Sequence, residues 1–165
     1  MDRLKMTGLT MGVIKSGLIK GTNKSYTTTV STEGMINGKY VTALTAQTNT
    51  AVPTTDASTG AAFVALTDNQ ATVVVMGQTL AGAIAACQGS IEATEVGVTT
   101  TAGAFIRAPQ FPTLPDDFMV LGYCLVRTAP SASGWTFGTD NWAATGVTTS
   151  EFVQCGVLPS RPVTS

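Results

Sequence analysis

Histidine does not occur in this chain, and aspartate, glutamate, lysine and arginine together make up only 12% of it. Without histidine there is no side chain that ordinarily titrates near neutrality. The Ser-His and Cys-His nucleophile pairs are excluded with it. Cysteine is scarce as well: Cys87, Cys124 and Cys155 lie far apart, and no Cys-x-x-Cys occurs. A zinc site needs a denser set of ligands, and three isolated thiols are expected to act as small buried hydrophobes without a disulfide. Long apolar runs are missing too. No window approaches the ~18 consecutive apolar residues of a membrane span.

What fills the chain instead is threonine (29), alanine (20) and glycine (17) in 165 residues, with a hydrophobic content of 44%. The length suits one domain with an appended arm, able to bury roughly 70% of its unfolded surface. Mean hydropathy is positive at +0.25. An apolar chain with so few charges is expected to have much of its surface covered by other subunits, because charge depletion marks interface cores.

The net charge of −1 conceals a gradient. Residues 1–24 carry Arg3, Lys5, Lys15, Lys20 and Lys24 against Asp2. Residues 40–165 carry Arg107, Arg127 and Arg161 against eight acids. A basic arm on an acidic body points to an acidic partner surface. Nucleic acid is not expected, since the cations are dispersed and no aromatic precedes Tyr26 to stack a base. No membrane contact is expected either. Lys15 and Lys20 interrupt the early apolar residues, so the N-terminus is expected to be retained rather than cleaved as a secretory leader.

Along the chain, residues 1–25 read as an N-terminal arm and 26–165 as a β-rich domain. Leu4, Met11, Ile14 and Leu18 have helix-like spacing, but Gly8, Gly12, Gly17 and Gly21 weaken any helix. An extended arm, ordered by a partner, is expected. Asn37-Gly38 is the strongest hairpin signal, because a type I′ turn needs positive φ at both central residues. Strands are expected at 26–30, 40–45, 61–66, 71–76, 91–98, 118–126 and 147–153. Val73-Val74-Val75 reads as buried on both faces. Gly77 to Cys87 stays open between short helix and strand. Pro109, Pro112 and Pro115 make a stiff connection anchored by Phe111 and Leu114. Short strands at this spacing give an all-β fold: an antiparallel sandwich or jelly-roll-like domain with an extended N-terminal arm.

Candidate chemistry is sparse. Lys15-Ser16 and Lys24-Ser25 sit on the arm, where nothing would lower a lysine pKa. Asp116-Asp117 follows Pro115 and reads as a turn. Two consecutive residues rarely straddle a sugar as glycosidase carboxylates do. No dense Asp/Asn pattern supports calcium at Asp116, Asp117 or Asp140. No cofactor and no metal is expected. Asn23-Lys24-Ser25 matches a glycosylation sequon that arises easily by chance. Trp135, Phe137 and Trp142 form an aromatic group, read as a core or oligomer plug rather than a sugar platform.

The C-terminal text resembles a known class. Ala108-Pro109-Gln110-Phe111-Pro112, Leu114-Pro115-Asp116-Asp117-Phe118, Gly122-Tyr123, Trp135-Thr136-Phe137-Gly138 and Asn141-Trp142-Ala143-Ala144-Thr145-Gly146-Val147 resemble the head decoration, or cement, proteins of tailed bacteriophages. These are turn and packing motifs, with no active-site residues among them. The resemblance implies a non-enzymatic virion protein on the outer surface of the capsid, homotrimeric, binding the major capsid protein and stabilising the head. On that reading Arg3, Leu4, Lys5, Leu9, Met11, Ile14 and Leu18 are the expected capsid contact. The alternative is a phage fibre or head-fibre module that holds host surface glycan at Trp135–Trp142.

Overall fold

The computed structural model describes residues 9–132 and 134–163. Among them there is no helix. The strands are β1 (Met11–Gly12), β2 (Ile19–Lys20), β3 (Ser25–Thr28), β4 (Gly34–Ile36), β5 (Lys39–Tyr40) and β6 (Gln47–Ala51) in the first part of the chain. They continue with β7 (Gln70–Thr79), β8 (Ile84–Gln88), β9 (Glu92–Ala93), β10 (Phe118–Thr128), β11 (Val147–Thr149) and β12 (Val153–Gln154). They pair antiparallel into three sheets. The protein is all-β, and its layers are those of a sandwich.

The axis of the molecule is the pair β7 and β10, the two longest strands. The central sheet runs β11-β10-β7-β8, with β12 on β10 and β9 on β7. Val73 to Met76 are all fully buried, as a continuous β-branched run predicts for a strand covered on both faces. One face holds Val74, Met76, Cys124 and Val126, packed against Tyr26, Phe63, Leu66, Trp135, Phe137, Trp142 and Phe152. The other holds Val73, Val75, Tyr123 and Leu125 beneath Phe111, Leu114 and Leu158. The proline-spaced connection is therefore the lid of the second face, with Phe111 edge-on to Tyr123 at 4.9 Å.

A bulge lets β10 serve both faces. Val120 lies opposite Gly77, but Gly122 lies opposite Met76, which leaves Leu121 as the extra residue. Met119 and Leu121 point to the first core before the bulge, and Cys124 and Val126 after it. A regular strand could not change parity in this way.

Two small sheets, β1-β4-β5 and β2-β3-β6, supply Tyr26 and Ile36 to the first core, and Leu18 and Val52, which flank β2 and β6, join them there. From residue 9 onward, the stretch expected to be an arm is built into them. Met11 pairs with Met35, and Ile19 with Thr27. Leu18 is completely buried in the chain's own core, which corrects its expected role as a capsid contact. Arg3, Leu4 and Lys5 lie outside the described residues.

Other expectations shift as well. Asn37 and Gly38 have φ of 51° and 76° and join β4 to β5, as the turn chemistry predicts. The strand expected at 40–45 ends at Tyr40. Residues 61–66 form no strand. Leu66 instead exchanges backbone hydrogen bonds with Trp135 at 2.8 and 2.9 Å. Gly77 to Cys87 resolves into the end of β7, a turn through Gly82, and β8. The strand expected at 91–98 shortens to Glu92–Ala93 and continues as a hairpin, bridged at Thr94–Phe105 and Val98–Thr101.

Candidate functional site

The aromatic group lies inside the first core. Trp135 is 1% exposed, Phe137 0% and Trp142 7%. Phe63 meets Phe137 edge-on at 4.9 Å, Phe137 meets Trp142 at 5.6 Å, and Trp142 meets Phe152 at 5.9 Å. Both indole nitrogens are satisfied internally: Trp135 Nε1 donates to the Asn141 carbonyl at 2.9 Å, and Trp142 Nε1 to the Ser25 carbonyl at 2.8 Å. Buried rings with bonded N–H groups leave no face for a sugar. The group is a core plug.

Of the acidic candidates, Asp140 is tied into the fold. Asp140 Oδ2 accepts the Thr136 backbone N–H at 2.7 Å and closes a turn. Asp116 and Asp117 are exposed before β10, and the Asp116 carbonyl accepts from Asn37 Nδ2 at 3.3 Å. Asp56 is buried. It accepts from Ser58 N at 2.7 Å, from Ser58 Oγ at 2.5 Å and from Gln88 N at 2.9 Å, tying the 56–61 loop to the edge of β8. Among the described residues no group of three or more His, Cys, Asp or Glu could hold a metal ion, and no helix is long and apolar enough to cross a membrane.

The thiols are free. Burial pushes Cys124 to about 12. Cys87 also rises to about 12, through burial first and the Asp56 carboxylate second. Burial raises the half-buried Cys155 too. Thiols held protonated are poor nucleophiles.

Two of the basic residues expected on a free arm are tied to the body. Lys20 Nζ meets Glu151 at 3.0 Å and Thr149 Oγ1 at 2.9 Å, and Lys24 Nζ donates to the Thr139 carbonyl at 3.1 Å.

The surface carries more distinctive features than the interior. In the sheet β1-β4-β5, Met11 lies directly opposite Met35, and Met35 opposite Tyr40. Directly opposed residues share a face, so the three form a row pointing away from the core, while Gly34 and Ile36 are buried on the other side. Pairing continues past β1 in both directions, from Gly38 N to Leu9 O at 3.1 Å and from Val13 N to Glu33 O at 2.8 Å. Residues two apart share a face, which places Leu9 and Val13 beside the row. Leu9 is 57% exposed, Val13 58% and Tyr40 81%. Ile14 is also exposed, and a small cleft of about 200 Å³ lined by Val13, Ile14, Val120 and Cys155 adjoins it.

The structure thus brings Leu9, Met11 and Ile14 to one region and removes Leu18 from it. Sequence reasoning missed Met35, Tyr40 and Val13. The signal was present: Leu9, Met11 and Val13 alternate with period 2, and a two-residue Asn-Gly turn sets Met35 opposite Tyr40.

A second exposed feature is the hairpin over residues 94–105, where Val96 and Val98 are largely exposed, followed by Ile106. Its tip holds Thr99 at φ 49°, uncommon for a β-branched residue.

No family model, curated protein or solved structure matches this chain.

Proposed function

We propose that this protein is a structural component of a phage virion, a decoration or cement protein that binds the outer surface of the capsid lattice and stabilises the head. The observation that carries the reading is the outward row of Leu9, Met11, Val13, Met35 and Tyr40 on a sheet whose other side is locked to the core. Contiguous exposed apolar patches mark interaction sites. A rigid β face loses little conformational entropy on docking. A protein that binds the assembled shell and not its dissociated subunits stabilises the shell by mass action. The sequence resemblance to cement proteins points the same way. A structural role also accords with the carboxylates of Asp56 and Asp140, which hold loop backbone in place, and with the buried, protonated thiols of Cys87 and Cys124.

The test is co-sedimentation with purified phage shells. The wild-type chain is expected to pellet with them at saturable occupancy. Leu9→Asp and Ile14→Asp are expected to lower occupancy at least tenfold with an unchanged thermal midpoint, since both side chains are exposed. Unchanged occupancy in both variants would contradict the reading. Deleting residues 2–20 is a poor test, because it removes Leu18 from the core and β1 from its sheet.

A further inference from the structure

The turn between β4 and β5 carries a reactive pair. The side-chain carbonyl carbon of an asparagine lies within reach of the next residue's backbone nitrogen, and attack by that nitrogen closes a cyclic imide. Glycine in the next position favours the attack, because no Cβ shields the nitrogen. Of Asn23, Asn37, Asn49, Asn69 and Asn141, only Asn37 precedes a glycine; the others precede Lys24, Thr50, Gln70 and Trp142. Asn37 and Gly38 are both exposed to water.

Three hydrogen bonds hold this turn. Gly38 N donates to the Leu9 carbonyl at 3.1 Å, Asn37 N to the Thr10 hydroxyl at 3.0 Å, and Asn37 Nδ2 to the Asp116 carbonyl at 3.3 Å. The first occupies the nucleophile: its proton rests on a carbonyl, which is too weak a base to remove it. The third restricts the rotation that brings the carboxamide carbon onto the Gly38 nitrogen. Leu9 and Thr10 lead into β1, a strand of 2 residues, and Leu9 is 57% exposed. Short, exposed pairings of this kind open locally at low free energy.

We infer that Asn37 is a latent self-modification site, and that the pairing of Leu9 and Thr10 with the turn is its gate. When the pairing opens, Gly38 N gives its proton to solvent base and forms a bond to Asn37 Cγ. The Cγ–Nδ2 bond breaks, and Nδ2 takes a proton from water and leaves as ammonia. Water then adds to one of the two imide carbonyls and reopens the ring as aspartate or as isoaspartate. Either product is a carboxylate that accepts hydrogen bonds and donates none, so the bond to the Asp116 carbonyl is lost and a negative charge stands close to Asp116. In isoaspartate the backbone runs through the side-chain methylene, which lengthens the turn. Turn geometry fixes the register of a hairpin, so Met35 no longer lies opposite Tyr40 and the outward row is broken. The result is a slow, irreversible loss of that face, timed by how often the start of β1 opens. None of these steps depends on what the face binds.

The test is peptide mapping by mass spectrometry of the full chain, held in warm, mildly alkaline buffer with and without urea. In urea the Asn37 amide is expected to be lost well ahead of those of Asn23, Asn49, Asn69 and Asn141. In the folded chain the loss at Asn37 is expected to be slower by about tenfold or more, because only molecules with the gate open react. Thr10→Val keeps the shape of a half-buried side chain and removes the acceptor for Asn37 N. Loss in this folded variant is expected to rise about two- to tenfold, the worth of one net hydrogen bond, with the rate in urea unchanged. Hydrogen exchange on aged protein reads the register: Val41 N, which donates to the Gly34 carbonyl at 3.0 Å, is expected to exchange faster in the isoaspartate fraction. Equal rates with and without urea would overturn the gate, as would a Thr10→Val variant no faster than wild type. Loss spread evenly over the asparagines in urea would overturn the site, and unchanged exchange at Val41 would overturn its effect on the face.

Discussion

The indole nitrogen of Trp142 donates a 2.8 Å hydrogen bond to the carbonyl oxygen of Ser25, joining residues 117 apart in the chain. The bond ties the C-terminal aromatic group to the sheet formed by residues 19–51. Trp142→Phe keeps most ring contacts and leaves the buried carbonyl unpaired, so a loss of about 1–3 kcal/mol is expected. Trp142→Ala also empties the space between Phe137 and Phe152 and is expected to cost about 3–5 kcal/mol. Urea unfolding midpoints at constant slope would measure both.

Alkaline pH should destabilise the protein. Burial raises the thiols of Cys87 and Cys124 from 9.0 to about 12, and burial raises Tyr26 as well. In the unfolded chain these thiols ionise near 9, while in the folded chain they stay protonated. Their contribution is therefore complete below about pH 9 and is lost progressively as pH climbs towards 12. Stability measured across that window is expected to fall, and Cys124→Ala to flatten the fall.

Thiol labelling should discriminate among the three cysteines. Cys155 is only half-buried, whereas Cys87 and Cys124 are fully buried. A maleimide is expected to modify Cys155 first, and the other two at the rate of unfolding. Mass mapping of labelled peptides over time would show the order.

The Asn37-Gly38 turn sets the register that places Met35 beside Tyr40. Gly38 has φ 76°, where a side chain is strained. Gly38→Ala is expected to cost about 1 kcal/mol and to weaken every contact made by the row. Thermal melts together with the shell assay would measure both effects.

Local chemistry explains which parts of the fold were legible in the sequence. The Asn37-Gly38 turn, the buried Val73–Val75 run and the Phe118 strand each depend on neighbours within a few residues, and each is found. The elements missed depend on distant partners. β1 and β2 are two residues long, and glycines disguise them; they exist only because Met35 and Thr27 offer edges to pair with. Residues 61–66 carry strand-forming types, but Trp135 takes the Leu66 backbone bonds, and Gln88 Oε1 accepts the Val64 N–H. Leu18 looked like one more apolar residue on a weak arm, and only tertiary packing makes it core. The candidate face was half visible: Leu9, Met11 and Ile14 come from one stretch, while Met35 and Tyr40 join them through sheet register. Trp135, Phe137 and Trp142 read as a plug, and burial places all three in the chain's own core; spacing alone does not choose between a core plug and an oligomer plug, because three rings within eight residues suit either.

The central claim is a many-copy structural role on a phage head. Quantitative mass spectrometry of purified virions, scaled to the major shell protein, tests it most directly. The account predicts hundreds of copies per particle, close to one for each shell subunit. A few to a few dozen copies, or none, would contradict it.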